Sequence, residues 1–238
     1  MPGINSLSVV IPMYNEELCA EDAISEASRV LSSLPLEYEI IAVNDHSCDN
    51  TARVLENLAR ADQKIKIVNN PARSGLGGSL RAGFLRAEGE AVFYTDADLP
   101  CNFDEIRSAL SLMERNNADI VSAYKSDYRN YGARRMVYSI VYNKLINFLF
   151  KINLKDVNFS FKLFRRDKLN RLDLKSEGSF INAELFAKAR AAGYVITEFP
   201  VNYTPRKKGS SKLDNFWNIK KIICELLSFI GSGKLPKR

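Results

Sequence analysis

Four short apolar runs punctuate the first 95 residues: LSVVI (Leu7–Ile11), EIIAV (Glu39–Val43), IKIV (Ile65–Val68) and AVFYT (Ala91–Thr95). Short continuous apolar runs read as strands covered on both faces. Between them lie stretches with helical spacing: Glu17–Ser33, Asn50–Arg60 behind an Asp49 cap, and Gly78–Ala87. Strand alternating with helix is the pattern of a mostly parallel sheet with helices packed on it. A helix over Phe103–Asn116, a strand DIVSAY and a long apolar-rich helix over Arg134–Phe150 follow. The order then loosens into FSFKLFRR as a strand, SFINAELFAKARAAG as a helix ended by Gly193, and YVITEFPVNY as another strand. The expected architecture is α/β, a nucleotide-binding half fused to a mixed second half, within one domain over residues 1–238.

Open α/β sheets collect ligands at the carboxyl ends of their strands. Here those ends read PMYNE, NDHSCD, NNPARSGLGG and DADLP, and three of the four carry carboxylates. Asp96 and Asp98 stand two apart beyond the fourth run, and residues i and i+2 of an extended chain project to one side. Paired hard oxygens in that position suit Mg²⁺ or Mn²⁺, with coordination positions left for phosphate oxygens. Asp45 stands at the second strand end, able to accept hydrogen bonds from a base or ribose, whereas Asp49 reads as a helix cap and His46 as a polar turn residue. RSGLGGSLRAG brings three glycines before a helix, a place where backbone can approach phosphates, with Arg73 beside it. It is not a dinucleotide fingerprint, because Leu80 takes the third glycine position and the loop follows the third strand.

Composition removes several classes. The four cysteines are scattered without a CxxC pair and the single His46 completes no zinc set, which points to a reducing cytosol. No run reaches the roughly 18–20 apolar residues of a membrane span, and the N-terminus has no signal-peptide pattern. A formal charge of +6 favours an anionic partner: nucleic acid, anionic lipid or a phosphorylated substrate. Arg134 and Arg135 open the apolar-rich helix, and RKKGSSK is a donor-rich loop, so both suit a phosphate carried on something greasy. Residues 213–232 have helical apolar spacing broken by Lys220, Lys221 and Glu225, the pattern of a helix that covers the core or lies on an anionic membrane.

Taken in order, VVIPMYNEE, AVNDHSCDNT, GLGGSLRAGFLRAEGE, YTDADLP, FSFKLFRR and RKKGSSKL resemble the family 2 glycosyltransferases of the polyprenyl-phosphate type, similar to dolichyl-phosphate mannose and glucose synthases. The resemblance implies a GT-A fold, a GDP- or UDP-sugar donor, a polyprenyl-phosphate acceptor, and no nucleic-acid partner. Carried over motif by motif, it implies a nucleotide site at Pro12, Tyr14, Glu16, Val43, Asp45, Arg73 and Ala97. It implies Mg²⁺ or Mn²⁺ on Asp96 and Asp98, Asp156 near the reaction centre, and Arg135, Ser139, Arg206 and Lys212 around the acceptor phosphate. The implied location is cytoplasmic, peripheral on the membrane face. Two departures stand out: Asn44 replaces one of the usual paired acids after the second strand, and Pro100 stands where many members have a polar residue. A saccharide hydroxyl acceptor is the competing chemistry, and it would need Asp156 or Glu184 as a base. A nucleotidyltransferase, or a basic lipid- or RNA-binding protein without catalysis, is more remote.

Overall fold

The computed structural model describes residues 3–127, 132–206, 224–229 and 231, with the side chains of residues 133–135 outside that description. Among these residues seven strands form one sheet in the order β3-β2-β1-β4-β6-β5-β7. The four expected strands of the first half are β1 (Ser6–Met13), β2 (Glu37–Asn44), β3 (Ile65–Asn69) and β4 (Ala91–Thr95). They run parallel, joined by α1 (Ala20–Leu31), α2 (Thr51–Ala61) and α3 (Gly75–Arg86).

The second half adds α4 (Glu105–Arg115), β5 (Ile120–Lys125), α5 (Ala133–Phe150), β6 (Phe161–Arg165), the short α6 (Arg166–Leu169), α7 (Ile181–Ala191) and β7 (Ile196–Val201). β5 does not pair with β4. It leaves a gap that β6 enters antiparallel to both, while β7 runs parallel to β5. One reversed strand among six co-directional ones has a direct consequence. Because Thr95 pairs with Phe161, the chain leading into β6, residues 156–160, lies at the same sheet edge as Asp96 and Asp98.

Alternate strand residues fill two cores, as the two-residue period requires. Leu7, Val9, Ile11, Phe93, Phe161 and Leu163 face the layer of α1, α2 and α4. Val10, Ile41, Val92, Tyr94 and Phe164 face the layer of α3, α5 and α7, where Phe150 and Phe180 also pack against Phe229 of residues 224–229. α3 lies so close to the sheet that a Cβ on Gly83 would collide with the Val10 side chain. No helix among the described residues is long and apolar enough to cross a membrane.

Candidate active site

β4 ends at Thr95, and the chain turns at once, with Leu99 N–H donating to the Asp96 carbonyl (3.2 Å) and Leu99 in the left-handed region (φ 46°). The Pro100 carbonyl accepts from Thr204 N–H (2.8 Å), which ties the segment after β7 to this turn. Asp96 accepts from the Tyr94 hydroxyl (3.2 Å) and from Ser160. Burial foremost, then the adjacent Asp98 charge, pushes its carboxyl up to about 6. Arg206 reaches in from the far end of the chain. Its guanidinium bonds the Glu16 carboxylate and lies 3.8 Å from Asp98 Oδ2. The guanidinium is the counter-charge to Glu16 and lies within reach of Asp98.

Asp96 and Asp98 supply oxygens only, and no described His, Cys, Asp or Glu completes a set of three with them. Two carboxylates without a closed protein cage is the donor set that Mg²⁺ or Mn²⁺ takes when substrate phosphate oxygens and water fill the other positions. The residues present fit such an ion.

The β1 and β2 exits brace each other. Asn15, also left-handed (φ 51°), donates its N–H to Ser47 Oγ (3.0 Å), and its Oδ1 accepts from Cys48 N–H (2.8 Å). Pro12 and Val43 are register partners at these ends, and Ala97 is buried within the β4 turn. The Arg73 guanidinium carbon lies 4.0 Å from the centre of the Tyr14 ring, a cation–π contact. The N-cap position of α2 is Asn50 rather than the expected Asp49, whose carboxylate instead accepts from Thr51 N–H (3.0 Å) two residues on, and His46 is an exposed turn residue (φ 58°).

Asp45 is buried and engaged. Its carboxylate accepts from Asn70 Nδ2 (2.9 Å), Ser74 N–H (2.8 Å), Ser74 Oγ (2.7 Å) and Gly75 N–H (2.9 Å). Burial acts to raise its pKa, but these donors outweigh it and hold the group below the ordinary carboxylate range. The phosphate reading of the glycine-rich stretch is corrected by the same region. The Gly77 and Gly78 N–H groups donate to the Glu177 carbonyl (2.7 and 3.3 Å), and a Cβ on Gly75 would stand 2.6 Å from that oxygen. These glycines admit the backbone of residues 176–178, which fills the helix N-terminus. That backbone is itself held by Glu184, which accepts from Lys175 N–H (2.9 Å) and Ser176 N–H (2.7 Å) and pairs with Lys188 (2.7 Å).

On the other flank Asp156, 1% exposed, pairs with the equally buried Lys125, and accepts from Asn158 N–H (3.3 Å). Lys125 also faces the Phe159 ring at 5.1 Å. Glu198 accepts from Lys155 N–H (3.0 Å), and burial raises its carboxyl. Ser139 is half-buried on α5, accepting from Asn143 Nδ2 (3.4 Å). Arg135 lies in the first turn of α5 with its side chain outside the described residues, and Lys212 and most of residues 213–232 lie outside them too. The structure therefore gathers Asp96, Asp98, Glu16 and Arg206 in one corner, and sets Asp156 in the segment that leads into the reversed strand.

Reading the residues alone overlooked Lys125 and Lys162. Lys162 is fully buried in mid-β6, its ammonium donating to the Phe159 carbonyl, and burial pulls its pKa down to about 7 against the raising pull of Asp156 and Asp96. The available signal was one lysine inside the otherwise apolar FSFKLF.

Similarity to known proteins follows the same outline. The chain is 28% identical over 240 residues to a polyprenol monophosphomannose synthase of Mycolicibacterium smegmatis, covering 96% of this chain and 88% of that one. It is 28% identical over 252 residues to a dolichyl-phosphate beta-glucosyltransferase of Trichomonas vaginalis, covering 100% of this chain and 78% of that one. With glycosyltransferase AglD of Haloferax volcanii it shares 29% identity over 215 residues, covering 87% of this chain but only 34% of the longer AglD. Among solved structures, glucosyl-3-phosphoglycerate synthase from Mycobacterium tuberculosis, in complex with Mn²⁺, uridine-diphosphate and phosphoglyceric acid, matches with a TM-score of 0.72 at 20% identity, covering 95% of this chain and 79% of that one. That likeness is one of fold, the GT-A arrangement expected above. Residues 8–173 match the sequence model for Glycosyl transferase family 2, a span that takes in the four parallel strand ends and the reversed β6 alike, and the chain belongs to that family.

Proposed function

We propose that this chain transfers a sugar from a nucleoside-diphosphate sugar to the phosphate of a polyprenyl monophosphate, with inversion at the anomeric carbon. One observation carries the choice of acceptor: both carboxylates that a hydroxyl acceptor would need as a base are engaged. Glu184, 1% exposed, is bound by backbone N–H groups and Lys188. Burial would raise its pKa, but Lys188 and Ser176 outweigh that and hold it low, so it is a poor proton acceptor. Asp156 is paired with Lys125. A phosphate monoester needs no base, because with a second pKa of roughly 6 it is already largely dianionic near neutral pH. The names of the Mycolicibacterium and Trichomonas relatives support the same acceptor class.

An acceptor phosphate oxygen attacks the anomeric carbon while the bond from that carbon to the diphosphate breaks, and the nucleoside diphosphate leaves with the electron pair. A divalent ion on Asp96 and Asp98 supplies charge neutralisation on that leaving group when bound. Tyr14 and Arg73 offer the base a platform, and the loops after β1 and β2 fix the nucleoside's position. Arg206, with Arg135, Ser139 and Lys212, offsets the repulsion between two anions brought together. Asp156 orients the acceptor side through Lys125.

The lipid end of the acceptor has a place to go. α5 leaves Val137, Tyr138, Ile140, Val141, Leu145 and Phe148 exposed, Phe148 by 82%, and Arg134 and Arg135 open the same helix. An apolar stripe beside basic residues is the composition of a helix lying in an anionic membrane surface. The protein would then work as a peripheral enzyme at that surface.

The test is transfer itself. Purified protein is incubated with radiolabelled UDP- and GDP-sugars, Mg²⁺ or Mn²⁺ and polyprenyl phosphate, and the mixture is extracted into organic solvent. Label is expected in the organic phase with one donor. Label moving only into water-soluble saccharide would overturn the lipid acceptor.

A further inference from the structure

Lys162 has no role in the chemistry above, and its placement is costly. It sits in the middle of the reversed β6, opposite Tyr94 of β4 and Ser122 of β5, with 0% exposure. Its strand neighbours Phe161, Leu163 and Phe164 are buried and apolar, and a leucine or methionine would suit the same position. Taking an ammonium out of water is costly, and a hydrogen bond such as that to the Phe159 carbonyl offsets only part of it. The charge is wrapped by aromatic faces, with Tyr94 at 5.5 Å and Phe186 at 5.6 Å.

Two lines lead from Lys162 to the site. The first runs through Tyr94: the ammonium lies over the ring whose hydroxyl donates to Asp96 Oδ1 (3.2 Å). The second runs along the chain: the bond to the Phe159 carbonyl anchors the segment whose next residue, Ser160, also hydrogen-bonds Asp96, and whose start is Asp156. Asp156 and Asp96 are also the acids whose charge Lys162 feels most strongly. One buried lysine thus touches both the ring whose hydroxyl bonds Asp96 and the segment that runs from Asp156 to Ser160.

We propose that Lys162 is a positioning residue of the transferase: from beneath the sheet edge it orients Asp96, through Tyr94 and through residues 159–160, so that the carboxylate presents a fixed oxygen to the metal–diphosphate. This rests on the reading of Asp96 and Asp98 as metal ligands. Residues that orient metal ligands typically change metal affinity or activity by about 10–100-fold when removed.

The test uses K162M, which fills the space without charge, and K162Q, which keeps a donor for the Phe159 carbonyl. Mn²⁺ binding in the presence of UDP or GDP is followed by electron paramagnetic resonance, beside thermal unfolding and steady-state kinetics. Both variants are expected to bind Mn²⁺ roughly tenfold more weakly and to lose kcat by a similar factor. K162M is expected to unfold at the same temperature as the parent or higher, because a buried charge has been replaced by an apolar side chain of similar volume. In a double-mutant cycle with Y94F, the combined loss should be smaller than the product of the two single losses, since both act on Asp96. If K162M does not fold, K162Q carries the measurement. Variants that lose stability while each folded molecule keeps the parent Mn²⁺ affinity and kcat would overturn the proposal, because that is the signature of a purely structural lysine. D96A is run in parallel: undiminished Mn²⁺ binding there sinks the metal-site reading itself, whereas weakened binding in D96A with unchanged K162M and K162Q removes only the role of Lys162.

Discussion

The exits of β2 and β4 each carry an aspartate one residue beyond the strand, at the same edge of the same sheet, yet the two carboxylates live under opposite conditions. Asp45 receives donors from Asn70, Ser74 and Gly75 and is held below the ordinary carboxylate range. Asp96 has Tyr94 and Ser160 as donors and Asp98 as a like-charged neighbour, and is pushed up to about 6. A strand end brings a carboxylate to the ligand edge but does not assign its work; the donors around it do. Asp45 seats α3 against the sheet, whereas Asp96, with a like-charged neighbour, is the acid proposed to take the cation.

The strongest way to break this contrast is to remove each acid in turn. D96A and D98A should each reduce metal-dependent sugar transfer by roughly a hundred- to a thousandfold, the scale of losing electrostatic stabilisation of a leaving group, with little loss of fold. Retained turnover in either would erase the functional side of the comparison. D45A should do the reverse. It leaves the half-buried Ser74 and Gly75 N–H groups without their acceptor and should lower unfolding free energy by about 1–3 kcal/mol in chemical denaturation, while the Mn²⁺ affinity of the folded fraction stays near that of the parent. A D45A protein of full stability would show that the capping contacts contribute little.

A gentler probe is pH. A proton and a metal compete for Asp96, so apparent Mn²⁺ affinity should fall by about tenfold per pH unit once pH drops below about 6, and titration calorimetry would record it. Stability should separate the two acids by sign. For metal-free protein the folded state holds the Asp96 proton up to about 6, whereas the unfolded chain releases it near the ordinary aspartate value of 3.8. Within that window the folded state binds more protons, so this group's contribution to stability rises as pH falls. Asp45 has a lowered folded pKa, so its contribution is full above the unfolded value and is lost as pH falls through the folded one. Comparing the parent with D96N and D45N across that range isolates each arm.

Much of the donor half was legible from residue order. Four apolar runs at strand length, separated by helical spacing, predict β1 to β4 within a few residues, and the parallel-sheet rule then points to Asp96 and Asp98. Legibility falls off at RSGLGGSLRAG. Three glycines before a helix are equally consistent with a phosphate or with another stretch of backbone, and only the packing of residues 176–178 on Gly75 and Gly77 decides between them. Glu184 was open as a base for the same reason, until the N–H groups of Lys175 and Ser176 were seen to occupy it. FSFKLFRR read as a strand but carried no sign of direction, because an apolar alternation looks the same from either end.

The local chemistry belongs to the sequence by itself: which segments extend, which coil, where turns fall, and that paired hard oxygens follow a buried strand. These depend on side-chain period and on neighbours a few positions away, which the chain carries wherever it folds. The reversal of β6 between β4 and β5 belongs to the tertiary structure, because strand partners are chosen by contacts among residues far apart in the chain. From that one choice come the arrival of residues 156–160 at the sheet edge that carries Asp96 and the burial of Lys162 between β4 and β5. Arg206 lies 190 positions from the Glu16 it bonds. No local pattern encodes such a distance; the closure of the sheet edge does.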